Sequence, residues 1–304
     1  MHELNALTDE APTDSGSEAS GIREIQNRMK IDLRDIGIPP RPSILLQIEE
    51  ESRRDEPDFI RLAKIINADV ALAAGLIKTA NSPFFGYAKR ARTAQEALLV
   101  LGIRFAVNTI SGLALQQIFK HAPHMERFWD ASATTARVAG WLAQQLKGRA
   151  GIRPEDAYTF ALFRDCGIPV LIIPFPEYLA ALNRANDEQI LPFTEIERQA
   201  LGIDHAEVGA SLAENWLLPD ELCRAIRQHH DRAALEGNGA ALSQRSRTLI
   251  AFAQLAEYLI QNHTGRAQTH EWEKLGPATL AVLQIGEEEL AALAEAAQET
   301  ITGS

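Results

Sequence analysis

Apolar residues recur every three or four positions through most of this chain, the spacing that lays a single stripe along a helix. Ile22, Ile25, Met29, Leu33 and Ile36 set the pattern, and I-P-P-R-P at 38–42 ends it. Proline lacks the N–H donor and restricts the residue before it. Helices are predicted over 43–53, 58–67, 70–80, 93–101 and 103–120, with Asp58 and Asp69 as N-caps and Gly102 as a break. N-S-P-F-F-G-Y at 81–87 reads as a turn. Beyond Pro123 the pattern predicts helices over 125–147, 154–165, 176–187, 193–201, 205–216, 219–229 and 244–262, with a polar link at 147–153. D-R-A-A-L-E-G-N-G at 231–239 reads as a breaker, and the alanine- and glutamate-rich end from about Pro277 to Thr300 as two packing helices. V-L-I-I at 170–173, between Pro169 and Pro174, reads as a helix end or buried turn rather than a strand. No internal repeat or credible sheet emerges. The expected fold is all-α: a tail at 1–21, helical lobes at 22–122 and 123–265, and a helical extension at 266–304.

Composition narrows the function. With 46% hydrophobic and 23% charged residues the chain is of globular type, and its formal net charge of −11 argues against a generic phosphate-backbone binder. Residues 1–21 carry five acids and no Lys or Arg, too polar to bury and unlike a secretory signal, so a disordered tail is expected. Cys166 and Cys223 stand far apart, which fits two reduced, buried thiols and a cytoplasmic protein. The apolar run at 97–115 is interrupted by Arg104, Asn108 and Ser111, so it reads as buried core rather than a membrane span.

The candidate chemistry lies in three stretches: A-L-F-R-D-C-G-I from 161, G-I-D-H-A-E-V-G-A from 202, and L-P-D-E-L-C-R-A-I-R-Q-H-H-D from 218. Tyr158, Ala161, Leu162 and Asp165 fall on one helical face; His205 shares a face with Val208 and Leu212, and His229 with Leu222 and Ile226. Asp165, His205, His229 and His230 therefore point inward and can share one polar pocket. Each also has a plainer role. An inward histidine can be a hydrogen-bonded core residue, His229 and His230 can cap their helix, and Asp165 can simply pair with Arg164.

The ordered pieces resemble the HDOD family, bacterial signalling modules related to HD-type metal phosphohydrolases. The resemblance runs over residues 36–232 and is carried by I-P-P-R-P-S-I-L-L, I-I-N-A-D-V-A-L-A-A-G-L-I-K-T-A-N-S-P-F-F-G, E-A-L-L-V-L-G-I, F-W-D-A-S-A-T-T-A and the three stretches above. It implies that an active HD enzyme has a histidine where this chain has Ala131, a His-Asp pair where it has Arg164-Asp165, and a later aspartate near Gln254. Losing these ligands while gaining a cation implies the loss of two-metal chemistry, with the Arg164 guanidinium taking the electrostatic place of the metal and holding Asp165 ionised.

The expectation is a non-catalytic signal-transduction module with no cofactor or metal, acting through a protein partner or a small ligand, with a second copy of itself as a candidate partner. Asn81-Ser82 reads as a turn bonding its own backbone or a recognition point between the lobes, with Phe84, Phe85 and Tyr87 packing at the junction. Two rivals stand beside this. One is a residual metal-dependent phosphohydrolase acting on a nucleotide or cyclic dinucleotide. The other is a nucleic-acid-binding regulator using the helices at 58–82 and the basic residues Lys89, Arg90 and Arg92, which the acidic balance disfavours.

Overall fold

Capping chemistry sets where the first helices begin. In the computed structural model Asp58 Oδ1 accepts from the amides of Ile60 and Arg61 at 2.8 and 3.2 Å, and Asp69 Oδ1 from those of Ala71 and Leu72 at 2.9 and 3.0 Å. The structure describes residues 36–82, 90–120, 122, 125–146, 151–238, 242–265 and 269–302. The acidic tail, the helix expected before Ile36, and the expectations for Phe84, Phe85, Tyr87 and Lys89 lie outside the described residues.

The first half comprises α1 (Ser43–Ser52), α2 (Phe59–Asn67), α3 (Val70–Ala80), α4 (Ala94–Leu101) and α5 (Ile103–Ile118). Gly102, at φ 75°, divides the apolar run at 97–115, and the axes of α4 and α5 bend by 119° across it. No single described helix is long and apolar enough to cross a membrane.

The second half is α6 (Met125–Gln145), α7 (Pro154–Phe163), α8 (Ile168–Ile172), α9 (Tyr178–Asp187), α10 (Phe193–Leu201), α11 (His205–Asn215), α12 (Asp220–Arg227), α13 (Arg232–Glu236) and α14 (Gln244–Thr264). The chain then adds α15 (Glu271–Leu283), α16 (Glu287–Ala296) and α17 (Gln298–Thr302). There is no strand among the described residues; the fold is all-α. One hydrophobic core runs from Ile36 to Ile301, so α15 to α17 pack on the same interior as the two halves. Trp216 Nε1 donates to the Pro39 carbonyl at 3.0 Å and Arg104 pairs with Asp156 at 2.9 Å, tying the halves together.

V-L-I-I is a helix end, as read: Val170–Ile172 close the short helix α8, with Ile173 as its C-cap. Two elements differ from the expectation. The breaker at 231–239 contains α13, because its Asp and Gly are caps: Asp231 accepts from Ala233 and Ala234, and Gly237 closes the turn at φ 84°. Finally, α15 starts at Glu271 and carries Pro277 in its interior. Packing offsets the lost hydrogen bond: Trp272 lies against Gly276, where a Cβ would come within 2.9 Å of the indole, and stacks on Tyr258 of α14 at 3.9 Å.

Candidate metal centre

Asp165 stands in the turn after α7, His205 opens α11, and His229 and His230 follow α12. Gly167 lets the first two meet. A Cβ there would sit 2.0 Å from the His205 carbonyl oxygen and 2.7 Å from the Gly209 amide, so backbone presses on backbone. The start of α11 is fixed by Asp204, which accepts from the Glu207 amide at 2.9 Å and from Arg198 Nε at 2.7 Å.

The four side chains converge on one point. His205 Nε2 lies 3.3 Å from His229 Nε2 and 3.2 Å from His230 Nε2; Asp165 Oδ1 lies 3.2 Å from His229 Nε2 and 3.6 Å from His205 Nε2. All four atoms fall within 4.8 Å of one another. A tetrahedral ion with ligand bonds of about 2.0–2.1 Å has ligand–ligand edges of about 3.3 Å; four of the six edges fit such an ion, and the two between His230 and each of His229 and Asp165 are at most 4.8 Å.

Each imidazole is turned by a partner on its other nitrogen. His205 Nδ1 meets Glu197 at 2.7 Å, His229 Nδ1 donates to the Ile226 carbonyl at 2.6 Å, and His230 Nδ1 bonds Glu271. This is how metal-binding histidines are held: the outer bond fixes ring and tautomer, leaving Nε2 as the ligand atom. Glu197 is fully buried, accepts from the Tyr178 hydroxyl and is bonded by the His205 amide at 3.2 Å. Glu271 is paired with Lys274, and the Phe193 ring stacks on His230 with centroids 4.9 Å apart.

Three imidazoles so close cannot all be charged. Burial disfavours protonated His205, yet Glu197 and Asp165 outweigh it and raise its pKa to about 10. Burial and the neighbouring His230 push His229 down to about 3. Burial also opposes the charged form of Asp165, but Arg164 and the bonds from His205 and His229 hold its carboxyl well below the usual range. The cluster carries fixed negative charge on its outer layer and neutral or displaceable nitrogens within, a donor set suited to a divalent transition ion.

Arg164 does not enter the histidine-lined position. Its Nε donates to the outer oxygen, Asp165 Oδ2, at 3.0 Å, and its Nη2 to Glu257 at 2.8 Å. The guanidinium is buried and lies beside the carboxylate rather than among the imidazoles. Ala131 is exposed and takes no part in the cluster. Gln254 is buried with Nε2 unbonded among the described residues, and the acid of α14 that reaches the site is Glu257, one turn later.

Glu197, Glu257, Glu271 and Tyr178 are neighbours of the cluster that sequence reasoning missed. Only Glu197 left a trace, a carboxylate amid apolar helix positions eight residues before His205. Asn81 and Ser82 lie elsewhere. The Asn81 amide clamps Ala91 through two 2.8 Å bonds to its backbone, and both residues border a cavity between the halves.

Residues 38–232 match the HDOD domain family. The chain belongs to that family. The match ends at the first residue of α13, so Glu257 and Glu271 come from helices outside it. An uncharacterized protein of Treponema pallidum (strain Nichols) is 29% identical over 195 residues; the match covers 64% of this HDOD chain and 38% of that longer relative. Among solved structures, an HDOD domain protein of unknown function from Geobacter sulfurreducens aligns over 94% of this chain and 99% of its own, with TM-score 0.57 and 20% identity. A protein from Shewanella amazonensis SB2B, named provisionally as a phosphohydrolase, aligns over 90% and 97%, with TM-score 0.64 and 19% identity. At these identities the likeness is one of fold.

Proposed function

We propose that this HDOD protein is a signal-transduction module that holds a single divalent transition ion in its histidine pocket and does not hydrolyse phosphate esters. One observation carries the reading. The inner oxygen of Asp165 faces the Nε2 atoms of His229 and His205, with His230 Nε2 against His205, while its outer oxygen is taken by Arg164, itself anchored on Glu257. Two-metal phosphoryl chemistry needs a second ion across the shared carboxylate, to stabilise the attacking and leaving oxygens together. A guanidinium there supplies charge but no open coordination position. Four protein ligands also fill a tetrahedral ion, the arrangement of structural rather than catalytic sites. The ion would tie Asp165 to His205, His229 and His230, fixing the packing of α7, α11 and α12. This replaces the expectation of a pocket without metal.

The test is elemental mass spectrometry on protein purified without chelator, together with hydrolysis of bis(p-nitrophenyl) phosphate. The expected result is one equivalent of iron, manganese or zinc and no turnover, with metal lost in His205→Ala. Two equivalents with turnover would return the protein to the phosphohydrolases. Metal-free protein that takes up none on reconstitution would remove the ion from the reading.

A further inference from the structure

A second polar region lies away from the histidines. Between the two halves is a cavity of about 650 Å³, walled by α3 and α5 on one side and α6 and α7 on the other. Its polar groups are unlike those of the metal centre. The Trp129 indole Nε1, the Thr109 hydroxyl, the Ser82 hydroxyl and Arg137 Nε are all buried without a hydrogen-bond partner among the described residues. Trp129 and Thr109 are themselves only 7% and 2% exposed. Indole and guanidinium N–H groups can only donate, and hydroxyls can donate as readily as accept. Buried polar groups are nearly always bonded, so four unmatched ones around a single void mark a place where a partner belongs.

The charge at this cavity runs against that of the molecule. Lys78, Arg90 and Arg137 border it with Asp130 as the acid, in a chain of net charge −11. Among the described residues neither Lys78 nor Arg90 forms an ion pair, and Arg137 has no carboxylate partner, its Nη2 donating to the Thr134 hydroxyl at 3.2 Å. Three cations against one acid suit a group bearing close to two negative charges and several acceptor oxygens, as a phosphate monoester does. The other walls are apolar, with Leu113 and Leu162 beside the Trp129 ring. The void falls within the roughly 300–1,000 Å³ of small-molecule sites, far more than a bare phosphate fills.

We propose that the inter-lobe cavity binds a nucleoside phosphate, its phosphate held by Arg137, Lys78 and Arg90 and its base against Trp129 and the leucines. The orphaned hydroxyls of Thr109 and Ser82 and the indole N–H supply the remaining bonds. The site is distinct from the metal centre, and the proposal stands whether or not an ion is held there.

Isothermal titration of the full chain with AMP, GMP, adenosine, guanosine and inorganic phosphate tests this. At least one nucleotide should bind saturably, more tightly than its nucleoside or phosphate alone, and more weakly as salt is raised. Loss of charge-assisted bonds in Arg137→Gln should weaken binding about tenfold or more, and Arg137→Lys should recover part of it. A matching thermal melt shows that Arg137→Gln folds. His205→Ala should still bind saturably, within severalfold of the parent. Absence of saturable binding by either nucleotide at millimolar concentration would overturn the proposal. So would binding untouched by Arg137→Gln but lost in His205→Ala, which would place the nucleotide at the histidines.

Discussion

The histidine pocket and the inter-lobe cavity are both polar regions set into one core, and they are built on opposite plans. In the pocket every outer nitrogen is bonded, to Glu197, the Ile226 carbonyl or Glu271, and the inner atoms lie within 4.8 Å of each other. In the cavity four polar atoms are bonded to nothing among the described residues, around open volume. A site for a small cation needs no void, because the ion fits among donors already in contact. A site for a larger anion needs both room and unspent donors. The pocket's polar residues therefore belong to the stability of the fold as well as to its ligand, whereas those of the cavity belong to its ligand alone.

Breaking the pocket should have the largest effect. In chelator, His205→Ala leaves Glu197 buried with only Tyr178 and a backbone amide as donors. Removing one partner of a buried pair costs about 3–5 kcal/mol, and urea unfolding should register a loss of that size. A loss below about 1 kcal/mol would mean that the pocket is no more integral to the fold than an exposed ion pair.

The cavity should respond in the opposite sense. Thr109→Val removes a buried hydroxyl that has no partner among the described residues and keeps the shape of the side chain. Relief of an unmet hydrogen-bonding group should leave stability unchanged or raise it by up to about 1 kcal/mol. The same urea experiment reads it. A loss of about 1 kcal/mol or more would show that the hydroxyl is already bonded, and the contrast between the two regions would narrow.

How far each region was legible follows from the same difference. Period and capping residues fixed most helices, because Asp58, Asp69 and Asp204 act within a few residues of themselves. Asp165, His205, His229 and His230 could be read together because each sits on the inward stripe of its own segment. What escaped was everything that depends on distant chain: Glu257 and Glu271 meet Arg164 and His230 across 93 and 41 residues. Likewise, an unbonded Trp129 or Thr109 has no sequence signature, since being unbonded is a property of the surroundings. Asp231 and Gly237 were read as breakers because the residues that cap a short helix are those that end one.

The smallest expected effect concerns the helix the two regions share. Tyr158 and Leu162 of α7 border the cavity, and Asp165 follows Leu162 by three residues, so the wall of one site runs directly into a ligand of the other. An ion bound to Asp165 would fix the end of α7 and with it the positions of Tyr158 and Leu162. A nucleotide meeting an already fixed wall loses less conformational freedom on binding, and the coupling must act equally in both directions. Nucleotide affinity should therefore rise severalfold, by about 1 kcal/mol or less, when chelated protein is reloaded with metal. Titrating the same nucleotide into the two preparations measures this, and His229→Ala supplies the control, since without that ligand added metal should change nothing. Equal affinities would mean that α7 is rigid without the ion, and that the two sites share an element without sharing a signal.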